Sequence, residues 1–159
     1  MIYDIDMNVK YGDGYLSTKK DHNSYEIDPE YQNLCKAIEK SDILRVLNGY
    51  FLFSEKLKNV LSYDKTFKFK KVNIFFREQF LSNSYFLVSI ENKIALIDYN
   101  NSIIVGNPFF DKLVFNLGNI KPNDLAIIDK DDEHYIYYTE KFYELVKSHQ
   151  IDIDLLEVM

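Results

Sequence analysis

At 159 residues and a net charge of −6, the chain is long enough for one domain that buries roughly 70% of its unfolded surface, and its acidity argues against nucleic acid or an anionic membrane as main partner. Its 47% apolar and 16% aromatic content excludes a disordered chain, and thirteen Tyr and twelve Phe without Trp point to strands rich in large side chains. Cys35 is alone, so no internal disulfide framework is possible. No apolar run nears the ~18 residues of a bilayer span, and the acid-studded start lacks a signal pattern, so a cytoplasmic protein is expected.

In chain order, Gly12 and Gly14 mark an early turn. Asp28 is placed to cap a helix that begins with Pro29 and Glu30, with Tyr31, Leu34, Cys35 and Ile38 on one face. Ser41 or Asp42 could cap a short continuation carrying Leu44 and Leu47 and ended by Gly49. Residues 1–48 thus read as an N-terminal helical subregion, and 49–159 as the core of the same domain. An apolar strand at residues 50–53 then leads into Ser54, a helix cap, and a stripe of Leu57, Val60 and Leu61.

After a turn near Tyr63 and Asp64, "FKFKKVNIFF" alternates as a strand. Phe67 and Phe69 have one parity and Val72, Ile74 and Phe76 the other, which predicts a β-bulge near Lys70 and Lys71. "SYFLVSI" and "KIALIDY" read as a hairpin around Glu91-Asn92, with Asn100-Asn101 closing the second strand. A loop with Gly106 and Pro108 precedes a strand in "KLVFNLGNI". "DLAIID" and "HYIYY" form a further hairpin with a polar tip at residues 130–133. Thr139 then caps a helix with Phe142, Leu145 and Val146 as its stripe. "IDIDLLEV" closes the chain as a strand, with Ile151, Ile153 and Leu155 on one face.

"FLFSEKLKNVL" and "IYYTEKFYELV" are therefore the same phrase: a strand, a hydroxyl cap, Glu-Lys, and an amphipathic helix followed by a strand. Two such strand–helix–strand units predict an α+β single domain, with helices packed on a shared, mixed but mainly antiparallel sheet. The [ST]-E-K start is also common on its own, so coincidence is the alternative.

Chemistry-bearing residues are sparse. His22, His134 and His149 stand at no metal-ligand spacing, and no nucleophile–base pattern involves Cys35, so no catalytic, metal or cofactor site is expected. His149 sits in the last turn of a helix, where a cation is welcome. From Asp129 to Glu140, acids fall at positions 1, 3, 5 and 12 of a calcium-loop frame, but His134 replaces the required glycine. Phe67, Phe69, Phe75 and Phe76 interleave with Lys68, Lys70, Lys71 and Arg77, the composition of a single-strand nucleic-acid platform. Alternation along a strand instead sends rings and cations to opposite faces. The densest acidic run is Asp129, Asp131, Asp132 and Glu133. At a hairpin tip free of packing duties, these four are the candidate partner-binding residues.

From residue 50 onward the chain resembles a family of bacterial immunity proteins, known as domain of unknown function 1629 and grouped with immunity protein 11, with immunity protein 43 similar in style. The likeness lies in "FLFSEKLKNVL", "FKFKKVNIFF", "YFLVSIENKIALIDYNNS" with Asp98 and Ser102, "DLAIID", and the terminal helix unit. Leu125-Ala126-Ile127-Ile128 departs from the aromatic-arginine pair expected there, and residues 1–48 show no likeness. The resemblance implies a non-enzymatic cytoplasmic protein that binds and occludes a cognate toxin; the acidic balance and tip suit a basic, nuclease-like toxin domain as that partner. The rival expectations are a small enzyme using Asp/Glu or His134, and a single-stranded nucleic-acid-binding module built on Lys68, Lys70 and Arg77.

Overall fold

The computed structural model describes residues 1–5, 16–18, 23–46, 50–106, 109–133 and 135–158. The predicted glycine turn at Gly12 and Gly14, as well as His22, Leu47, Gly49, Pro108 and His134, lie outside them.

The fold is α+β, with two main sheets instead of one shared sheet. The first has six strands: β1 (Ile2–Ile5) is not among them, and β2 (Leu16–Thr18), β3 (Ser24–Ile27), β4 (Ile43–Arg45), β5 (Phe51–Ser54), β6 (Phe67–Phe76) and β7 (Gln79–Ile90) run in the order β2-β3-β6-β7-β5-β4. A bridge between Leu16 and Val46 brings the two edges together, so the sheet curls into a half-barrel. Leu16, Tyr25, Leu44, Leu52, Ile74 and Tyr85, one from each strand, fill its concave side. A 3-10 helix, Pro29–Lys36, plugs it with Leu34, and Ala37 and Ile38 follow into the same cluster. Asp28 caps this helix as expected, its carboxylate accepting the Glu30 N–H at 2.9 Å, but Tyr31 leaves helical geometry (φ −107°, ψ 38°) and the segment winds as 3-10.

The second sheet is completed by β8 (Lys93–Ile94), β11 (Ala126–Asp129), β12 (Ile136–Thr139) and β13 (Leu155–Glu157), in the order β13-β1-β12-β11-β8. Between β8 and β11 lies a separate hairpin of β9 (Ile103–Gly106) and β10 (Phe109–Lys112). Helices α1 (Glu55–Leu61) and α2 (Glu140–Ser148) follow β5 and β12. Their apolar stripes, Leu57 and Leu61 in one and Phe142 and Val146 in the other, enter one cluster that both sheets line. The far face of the second sheet, Ile2, Ile127 and Tyr137, is covered by Leu96, Ile97 and Phe115 from the long connection between β8 and β11.

The repeated phrase is architectural. β5, α1 and β6 form a crossover in which β5 and β6 run parallel with antiparallel β7 between them. β12, α2 and β13 do the same around β1. The registers correspond as well: Phe53 pairs with Ile43 and Phe86, and Tyr138 with Ala126 and Tyr3. Both caps form, with Ser54 Oγ accepting the Leu57 N–H at 3.1 Å and Thr139 Oγ1 the Phe142 N–H at 3.3 Å.

Residues 1–48 are not a helical subregion: their described part gives four strands, β1 to β4, to the two sheets, because pairing partners from the rest of the chain claim them. The closing strand is confined to Leu155–Glu157, since Ile151 and Ile153 are buried in the cluster between the sheets without pairing to a strand. Four more sequence expectations fail for tertiary reasons. Residues 43–45 are a strand, because pairing with β5 overrides a short helical pattern. No bulge is needed at Lys70 and Lys71. The strand passes from one core to the other, so Phe67 faces the cluster between the sheets while Val72 and Ile74 face the barrel interior in unbroken alternation. The register instead shifts between Val72 and Phe75. β7 turns back onto β6 and not onto residues 93–94, which join β11 in parallel through β8. Finally, "KLVFNLGNI" holds an isolated bridge at Phe115 and a 3-10 turn, Leu117–Asn119, in place of a strand.

Candidate partner-binding tip

The β11–β12 hairpin forms where the sequence places it, and its tip is organised by one residue. Asp129, the last residue of β11, is 0% exposed. Its Oδ1 accepts the Leu96 and Ile97 N–H groups at 2.8 and 2.7 Å. Its Oδ2 accepts the Tyr99 hydroxyl at 2.9 Å and the Asp131 and Asp132 N–H groups at 2.9 and 3.2 Å. Five donors on one buried carboxylate fix both the tip and the segment that crosses behind it. Burial, and then the bond to Asp129, pushes the Tyr99 hydroxyl well above the usual tyrosine range. Lys130 N–H adds a bond to the Ile94 carbonyl at 2.8 Å.

This corrects the view of the four acids as free of packing duties. Asp129 and Asp132 are buried, whereas Asp131 and Glu133 stay at the surface. Glu133 forms a 2.6 Å ion pair with Lys93 of β8, which ties the tip to the neighbouring strand. The presented charge is smaller than the sequence suggests, and more rigidly held. In the calcium-loop frame, position 1 is Asp129, whose oxygens are already occupied by these donors. Among the described residues, no group of three or more His, Cys, Asp or Glu is arranged to hold a metal.

The remaining candidates resolve into structure. His149 caps the end of α2, with Nδ1 3.0 Å from the Leu145 carbonyl oxygen. Cys35 is half-buried against the barrel core, and burial raises its thiol pKa. Phe67 is 4% exposed and stacks on Phe69 at 6.1 Å, while Lys68 reaches Glu91 at 3.8 Å. The first half of the strand sends Phe67 and Phe69 to the core and Lys68, Lys70 and Lys71 to solvent, whereas towards its end Phe75 is half-buried and packs on the exposed Phe80. Asp98 and Ser102 build a turn: Asp98 accepts from the Asn100 and Asn101 N–H groups, and Ser102 Oγ accepts the Val114 N–H at 2.9 Å.

Sequence reasoning missed Asp42. Read as a helix cap, it is a buried joint whose Oδ1 accepts the Ser54 hydroxyl at 2.6 Å and whose Oδ2 accepts the Asp152 N–H at 2.7 Å. It borders a polar cleft of about 400 Å³ with Ser54, Tyr85 and Gln150. No local signal announces a bond to a residue 110 positions away. No helix among the described residues is long and apolar enough to cross a membrane. Scans of protein-family models and of curated proteins return no match for this chain.

Proposed function

We propose that this protein is an immunity-type binding protein: it captures a basic toxin domain in the cytoplasm of the producing cell and occludes its working surface, without catalysis or a cofactor of its own. The observation that carries the reading is the locked acidic tip. Asp129 holds the turn from within, so Asp131 and Glu133 are presented on a frame already ordered before contact. Preorganised charge of this kind avoids ordering costs on binding and speeds encounter with a partner of opposite sign. The chain's net charge of −6 adds to the same attraction. The resemblance to immunity proteins supports the reading through the two capped helix units and the Asp98–Ser102 turn.

The test is to reverse Asp131 and Glu133 to Lys, leaving Asp129 and Asp132 in place, and to measure association with a toxin domain identified by reading the genes next to this one. The on-rate at low salt should fall on the order of tenfold, and the gap should close at high salt. Thermal stability should barely move, because the one lost ion pair is exposed. Wild-type protein that fails to bind the toxin would remove the whole reading. Binding with an unchanged on-rate would move the contact away from the tip.

A further inference from the structure

The acidic tip runs directly into a row of aromatic rings. Tyr135 stands two residues past Glu133 and is 39% exposed, a large ring left in water beside the locked acids. Its ring lies 6.4 Å from that of Tyr137, which is buried and meets Phe115 edge-on at 5.2 Å. Tyr137 and Phe115 belong to the cluster on the far face of the second sheet, so Tyr135 is the outer end of a row rooted in the core.

The acids reach the same face. Asp129 accepts the Tyr99 hydroxyl, and the charges of Asp131 and Asp132 act on Tyr99 and Tyr137. Glu133 is engaged by Lys93. The Asp131 carboxylate, in contrast, has no partner among the described residues; only its backbone N–H is used. Nor does any described cation stand over the Tyr135 ring.

We propose that Tyr135 and Asp131 form an arginine-binding subsite of the tip: a guanidinium of the basic partner lies flat on the exposed ring and donates its N–H groups to the Asp131 carboxylate. The identity of the partner rests on the toxin-capture reading; the subsite adds which of its side chains is recognised. The chemistry selects arginine over lysine. A flat, delocalised cation can face a ring with its plane while its in-plane fork of donors meets a carboxylate. A lysine ammonium is a compact, strongly hydrated point charge, which gains less from the ring. An uncharged side chain gains nothing from Asp131 beyond what water gives it. Contact with Tyr137 also restricts the Tyr135 ring before binding, so stacking a ligand on it orders little that was free.

The probes are short unstructured peptides carrying arginines, lysines or citrullines in the same glycine-serine frame, titrated at low salt into the isotope-labelled full chain. The arginine peptide should shift the amides of residues 131, 133 and 135 with a Kd about two- to fivefold below that of the lysine peptide. The citrulline peptide should leave them in place. Tyr135→Phe should keep the arginine preference and Tyr135→Leu should abolish it, both cationic peptides then binding alike through charge. Asp131→Asn, whose backbone N–H still meets Asp129, should weaken both peptides and narrow the gap between them; it serves as the test if the leucine variant disturbs the hairpin. Equal affinity for the two cationic peptides, tip amides that move with neither, or an arginine preference that survives in well-folded Tyr135→Leu each overturn the subsite. None of these touches capture by the acidic tip, which stands or falls on the on-rate of the toxin itself. Conversely, an arginine preference at the tip beside a toxin that does not bind would keep the subsite and remove only its partner.

Discussion

At the scale of single residues, two aspartates behave in opposite ways. Asp129 is buried but has five donors on its two oxygens, so its burial is compensated. Asp129→Asn is nearly isosteric, yet it would turn one acceptor into a donor facing other donors. It should cost about 3 kcal/mol or more, read from urea unfolding midpoints. Asp4 in β1 is half-buried, and desolvation lifts its carboxyl above the ordinary range, only partly offset by the Ile5 N–H bond at 2.7 Å. For an acid whose folded-state pKa is raised, ionisation opposes folding. The penalty is absent below the unfolded pKa of about 4, grows as pH rises through the folded value, and is complete above it. Asp4→Asn should therefore stabilise the protein at pH 7, and the gain should vanish as pH falls below about 4. Thermal midpoints of both proteins across that range check the sign.

At the scale of elements, the β6–β7 hairpin is the largest feature the sequence hid. Its turn residues Arg77 and Glu78 both adopt positive φ, 47° and 65°, where Asn-Gly would be usual. Without a glycine or asparagine to mark it, nothing in "FFREQF" announces a reversal, and the long pairing of β6 with β7 goes unseen. The left-handed conformation is held by that pairing against its own local cost. Replacing Arg77-Glu78 by Asn-Gly should stabilise the protein by about 1 kcal/mol, measured by chemical denaturation, with no change in fold. The duplicated phrase was legible for a matching reason. Its caps and stripes are local, spaced by three and four residues, and they form as written at Ser54 and Thr139. What encloses each unit is not local: β7 follows its helix in the chain, whereas β1 comes from the opposite end.

For the whole molecule, the cluster between the sheets decides cooperativity. Phe142 is 0% exposed, with its ring 4.4 Å from that of Tyr138 in its own sheet and 6.4 Å from that of Phe67 in the half-barrel. Phe142→Ala should cost about 3–5 kcal/mol. Because the cavity opens onto both sheets, hydrogen exchange should quicken in β6 and β12 together and not in β12 alone. Asp42 strengthens the same coupling, joining the Ser54 cap of the first unit to Asp152 in the closing segment of the second.

The sequence by itself determined the α+β class, the two capped helices, the β11–β12 hairpin and the buried stripes, because caps and periodicity act over a single turn or strand. It also located the acidic tip. Only the tertiary structure decided that Asp129 and Asp132 turn inward while Asp131 and Glu133 face out, since that depends on donors from residues 96, 97 and 99, thirty or more positions away. It likewise split the expected single sheet into two, because strand order is set by which apolar faces can be covered at once. A strand such as β6, apolar on opposite faces at its two ends, can be satisfied only between two cores.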